Sequence, residues 1–152
     1  MKRIKPRLLY SALSVASLVI LTGCPGSGDR LRPDEEATVT KGEDSLCFGV
    51  PNAEDYQPAD IAINPRGTPS REEKITFNPA LFIAAEKLCV PSAFYAFPDK
   101  GQFIVSYVLT SKRHKDEPRR MVAGLEISQG RFFNIPLTDM EILRPYTEMN
   151  KQ

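Results

Sequence analysis

The chain has no tryptophan, a single histidine, and only nine glycines and three cysteines in 152 residues. Each shortage removes something. Without Trp, an antibody-type immunoglobulin domain built around a buried indole is excluded. His114 is the sole base available to a Ser-His-Asp arrangement, and no Gly-x-Ser-x-Gly motif accompanies it. It sits in Ser111-Lys112-Arg113-His114-Lys115-Asp116-Glu117, which reads as a solvated hairpin loop. One His with two separated Cys is too small a set for a zinc site. No glycine-rich phosphate loop occurs, so no nucleotide cofactor is expected. No dense basic patch occurs either, which speaks against nucleic acid as partner. A carboxylate pair of the glycosidase kind depends on a separation that sequence does not give. Asp55, Asp60 and Asp99 lie near aromatics and are its candidates, with ordinary surface carboxylates as the plainer reading. The expectation is a protein that is not an enzyme and holds no metal or cofactor.

Acidic residues are absent before Asp29, and no apolar run reaches the ~20 residues that span a bilayer. What stands there instead is Lys2, Arg3, Lys5 and Arg7, an apolar stretch of about 14 residues from Leu8 to Leu21, and then Gly23-Cys24. That is a signal peptide with a small-residue cleavage site. Leu21-Thr22-Gly23-Cys24 resembles the lipobox of bacterial lipoproteins. The resemblance implies a diacylglycerol thioether on Cys24, cleavage before it and acylation of the new amine. Pro25 follows where Asp would signal inner-membrane retention, so the outer membrane is the favoured site, with the domain facing the periplasm. Removing the leader takes four of the 20 basic residues and leaves 16 against 19 acidic ones, a mature net charge near −3. The domains expected are residues 1–23 as leader, 24–36 as lipidated Cys and Pro/Gly/Ser-rich tether, and 37–152 as one domain.

Cys47 and Cys89 remain for an oxidising compartment, where a leftover pair joins as a disulfide. Two reduced, buried thiols are the alternative. The bridge would close a loop of about 42 residues and contribute about 4 kcal/mol at most on the chain-entropy model.

Period-two patterning dominates the rest. Phe103, Val105, Tyr107 and Leu109 share one face of residues 102–110, and Met121, Ala123, Leu125 and Ile127 share one face of residues 121–128. Gln129-Gly130 turns into residues 131–135. Residues 37–41, 45–50 and 74–77 read as further strands. Residues 80–90 fit either a helix or a hairpin, and the bracketing Pro79 and Pro91 favour the hairpin. Residues 52–71 read as a long loop with a short extended piece at 60–63, its prolines pointing to an edge or to no strand. Seven or so short strands, thirteen Pro and no convincing helix predict an all-β fold. The expected architecture is an antiparallel β-sandwich, immunoglobulin-like in topology, with a small barrel as the alternative.

Several stretches carry a wider resemblance. They are Gly26-Ser27-Gly28-Asp29-Arg30-Leu31-Arg32-Pro33-Asp34-Glu35, Tyr56-Gln57-Pro58-Ala59-Asp60-Ile61, Ile63-Asn64-Pro65-Arg66-Gly67-Thr68-Pro69, Phe77-Asn78-Pro79-Ala80-Leu81, Phe97-Pro98-Asp99-Lys100-Gly101-Gln102-Phe103 and Asn134-Ile135-Pro136-Leu137. Together the chain resembles small enterobacterial lipoproteins described as type VI secretion immunity periplasmic lipoproteins. The resemblance implies a binder that neutralises an effector toxin. The alternatives are an envelope scaffold or assembly lipoprotein and an inhibitor of another envelope-directed enzyme. Two loops, residues 52–60 and 95–100, mix aromatics with charge and are the expected contact surface. Their candidate partner-binding residues are Tyr56, Asp60, Tyr95, Asp99 and Lys100, of which Tyr95 is the expected anchor.

Overall fold

The computed structural model describes residues 32–145. The expected leader, Cys24 and most of the expected tether lie outside them. The alternating segments form ten strands: β1 (Glu35–Glu36), β2 (Val39–Lys41), β3 (Ser45–Gly49), β4 (Gln57–Pro65), β5 (Ile75–Phe77), β6 (Ile83–Ala84), β7 (Lys87–Pro91), β8 (Lys100–Thr110), β9 (Arg119–Ser128) and β10 (Arg131–Asn134). They make two sheets packed face to face, an all-β sandwich. The larger sheet runs β1-β9-β8-β4-β5, with β10 also paired to β9, and the smaller runs β2-β3-β7-β6. Setting β1 and β10 aside, the neighbours are β2-β3-β7-β6 against β9-β8-β4-β5, and the chain changes sheet after β3, β5 and β7. That is the strand order of immunoglobulin sandwiches, ABED against GFCC′.

The core lies between the sheets, where one face of each strand is apolar. Val105, Tyr107 and Leu109 of β8 meet Phe48 of β3 and Leu88 and Val90 of β7, all fully buried. Phe48 and Tyr107 make an edge-on contact across the sheets, with ring centroids 6.1 Å apart. They occupy the strand pair that antibody domains bridge with a disulfide. Here the disulfide is elsewhere. Cys47 and Cys89 are joined, and they face each other on the adjacent strands β3 and β7, on the outer side of the smaller sheet. Tyr107 donates its hydroxyl hydrogen to Gly49 O at 3.3 Å, and burial pushes its phenol well above the ordinary range.

Both seams between the sheets are closed by side-chain amides. Asn134 accepts from Val39 N at 2.7 Å and donates to Val39 O at 3.2 Å. Gln57 Oε1 accepts from Ile83 N at 2.9 Å. Residues 80–90 are the hairpin: β6 and β7 are joined by Ala85 and Glu86, both at positive φ (50° and 56°).

Two expectations need correction. Residues 57–65 are not a loop with an edge piece but a nine-residue strand lying between β5 and β8. Its prolines sit near its two ends, and the register breaks between Pro58 and Asp60, so no proline interrupts the ladder from Ile61 to Asn64. The domain also begins before Ala37. Asp34 and Glu35 read as polar linker, yet Glu35 pairs with Arg119 and Asp34 with Arg120. Asp34 also exchanges bonds with Leu143, which ties the two ends of the described chain together. Leu137 and Ile142 then cover Val122 on the outer face of β9.

Candidate functional site

The sandwich has two ends. One, the entry end, gathers Arg32, the β3–β4 loop, the Ala85-Glu86 turn and the β8–β9 loop. The other gathers the β2–β3 turn, the β7–β8 loop and the β9–β10 turn.

At the second end the β2–β3 turn is closed by Gly42 N donating to Ser45 O at 2.8 Å. Ser92 Oγ lies 2.9 Å from both carboxylate oxygens of Asp44 and pins the β7–β8 loop to that turn. Phe94 N and Tyr95 N both donate to Pro91 O, which coils the loop tightly. The coil sets Tyr95 edge-on to Phe97 at 4.7 Å, and Phe97 edge-on to the buried Phe103 at 5.7 Å. A ladder of rings thus leads from the surface into the core. Across from it, Phe132 of β10 carries the Lys41 ammonium 5.8 Å from its ring centre. Between them lies an open cleft of about 370 Å³, lined by Lys41, Asp44, Ser92, Tyr95, Phe97 and Phe132 among others. Aromatic walls with one cation, the two carboxylates of Glu43 and Asp44, and hydroxyls suit capture of a protein side chain or a short segment.

Of the residues singled out from sequence, Tyr95 lines this cleft. Asp99 and Lys100 are exposed beside it, with Asp99 O accepting from Gly130 N at 3.4 Å. Tyr56 and Asp60 are elsewhere, so the two loops do not form one surface. Tyr56 is a buried entry-end residue and not an exposed anchor. Its hydroxyl donates to Glu117 O at 2.8 Å, its ring stacks on His114 at 6.0 Å, and the Arg119 guanidinium lies 5.2 Å from its centre. Asp60 belongs to β4, where its carboxylate accepts from Val108 N at 3.3 Å and repairs the bulge. Lys41, Asp44 and Phe132 went unremarked in the sequence because they come from three separate strand ends; only the turn signals hinted at them.

The entry end holds Ser111, His114, Glu54 and Asp55 together, yet not in a nucleophile–base geometry. Ser111 Oγ donates to Asp55 at 2.6 Å and accepts from the backbone N of His114 at 2.9 Å. The imidazole Nε2 instead meets Glu54 at 3.1 Å. With no ring nitrogen on the hydroxyl, Ser111 is a loop cap. The Ser111 hydroxyl and the backbone N–H groups of Arg113 and Lys112 hold the Asp55 carboxyl below its ordinary value. Asp55, Asp60 and Asp99 thus stand apart, the first two committed to local bonds. Among the described residues no group of three or more His, Cys, Asp or Glu is placed to hold a metal ion.

A second hollow, about 610 Å³, lies on the outer face of the larger sheet against residues 138–143. Its border is fixed by Arg66, whose guanidinium meets Glu141 through two bonds of 2.7 and 2.8 Å.

The profile of one family, the domain of unknown function DUF7480, matches residues 34–130. The chain belongs to the DUF7480 family. The match starts at Asp34, the partner of Arg120, and takes in β1 to β9, the disulfide and Tyr95. DUF7480 thus covers most of the sandwich and two of the three strand ends that frame the cleft, leaving out Phe132. No curated protein and no solved structure matches the chain.

Proposed function

We propose that the protein is a lipid-anchored, periplasm-facing binding domain of the outer membrane that neutralises a type VI effector toxin by occlusion. The observation that carries the reading is the Tyr95–Phe97–Phe132 cleft at the end remote from Arg32. A preformed β scaffold meets the ordering cost of its loops on folding, so little is left to lose on binding. Aromatic rings beside Lys41 and Asp44 are the residue types that anchor protein interfaces. The resemblance of the lipobox and of the stretches named above to type VI immunity lipoproteins supplies the partner class. A mature charge near −3 adds modest steering toward a basic toxin, weakened by salt.

The test is a competition between a toxin-bearing attacker and recipients with and without this protein. Restoring the wild-type chain restores survival, and anchored Tyr95→Ala restores less. Equal killing of both recipients by every related attacker would replace immunity with the envelope-scaffold reading.

A further inference from the structure

The entry end carries three features that this reading leaves unused. The chain enters there: Arg32 lies 3.9 Å from Glu117 of the β8–β9 loop. Cys24 is eight Cα steps earlier, at most about 29 Å of extended chain. The second feature is charge. Of the acidic groups at this end, Glu35 and Glu117 face the cations Arg119 and Arg32, while Glu54 meets His114, and Asp55 and Glu86 accept hydrogen bonds from backbone N–H groups. Lys112, Arg113 and Lys115 are exposed and take part in no ion pair among the described residues, with Asp116 as their only unengaged acidic neighbour in the loop. The third is apolar surface. Phe82 is 73% exposed and Phe77 70% exposed. Phe82 stands three residues before the Ala85-Glu86 turn, and its neighbour Ile83 bonds Gln57, the first residue of β4. Phe77 pairs with Asp60, near the same end of that strand.

We propose that the entry end docks on a bilayer surface bearing anionic headgroups. Lys112, Arg113 and Lys115 meet lipid phosphates, and Phe82 enters the interfacial layer with Phe77 beside it. A short run from an acylated Cys24 holds this end against the membrane. Basic residues and exposed apolar rings at one end match that chemistry: each cation near an anionic surface is attracted within a Debye length, and a lipid chain plus a basic loop gives a two-signal anchor. The β8 strand, about 33 Å long at ~3.3 Å per residue, then carries the Tyr95 cleft away from the membrane. The inference rests on the lipid anchor proposed above.

The absence of tryptophan makes the test direct. Full-length acylated protein carrying Phe82→Trp is reconstituted into phosphatidylethanolamine/phosphatidylglycerol vesicles, with Phe132→Trp as the cleft-end control. Mass spectrometry of the N-terminal peptide first establishes acylation. The indole at position 82 is expected to shift to the blue and to be quenched by brominated acyl chains several-fold more than the indole at position 132. Adding Lys112→Glu and Lys115→Glu is expected to reduce that quenching. Acylated protein whose indole at position 82 keeps solvent-like emission and is quenched no more than the indole at position 132 overturns the docking and leaves the anchor standing. An unacylated Cys24 in protein from the native envelope overturns both.

Discussion

Arg119 shows how much one side chain can organise at the entry end. Its guanidinium is almost fully buried and donates to Glu35 and to the carbonyls of Pro51 and Asn52. It also lies over the Tyr56 ring, so β1, the β3–β4 loop and β9 are fastened together by one cation. The hydrogen bonds from Arg119 hold the Glu35 carboxyl below its ordinary value of 4.5, against the opposing effect of burial. Arg66 does the same to Glu141. A carboxyl with a lowered folded-state pKa adds stability that is complete above its unfolded value and is lost as pH falls through the lowered one. Glu35→Gln is therefore expected to cost about 1–2 kcal/mol at pH 7, by the worth of hydrogen bonds to charged groups. The gap to wild type should narrow as the pH is taken below 4. Urea melts of both proteins from pH 7 to pH 3 read this directly; a gap unchanged with pH contradicts the pairing. Nothing in Glu35-Glu36 announced the role, because a charged pair after a proline has the composition of a linker, and its partners lie more than eighty residues away.

Among the elements, the legible ones were those whose pattern is local. β8 alternates cleanly and buries the face the period of two assigns; β9 buries its assigned face too, but Val122 and Gly124 on the other face are also buried. The β6–β7 hairpin was readable from its bracketing prolines although its turn residues are unusual. Ala85 and Glu86 both occupy positive φ, a conformation that costs an L-residue roughly 1–2 kcal/mol. Ala85→Gly should thus raise the free energy of unfolding by about 1 kcal/mol, measured as a higher urea midpoint with the slope unchanged. A lower midpoint would mean that the turn is not as described. β4 was hidden because Pro58 and Pro65 mark it as a breaker, and only the three-dimensional register shows them at its ends. The cover on the outer face of β9 was hidden for another reason. Gly124 permits it: a Cβ there would meet Ile135 O at 2.8 Å. A glycine in a strand signals a close approach without saying of what.

For the whole molecule, the sequence carried the class of fold through its strand pattern, and the pairing of Cys47 with Cys89 through the small number of cysteines. It did not carry which loops share an end. That depends on strand order, which separates Tyr56 from Tyr95 by the length of the sandwich and places Phe132 and Lys41 beside the latter. Strand order thus sets an aromatic cleft at one end and the chain entry with a basic loop at the other. The central claim is inhibition by occlusion through that cleft. The measurement that tests it most directly is the affinity of the purified domain for the effector toxin of the attacker used in the competition, by titration calorimetry, for wild type and Tyr95→Ala side by side with their melting curves. The account predicts a stoichiometric complex, a Kd raised about 30-fold or more by Tyr95→Ala, equivalent to about 2 kcal/mol, and a folded variant. A complex whose Kd is the same for both proteins, or no complex at all, would contradict it.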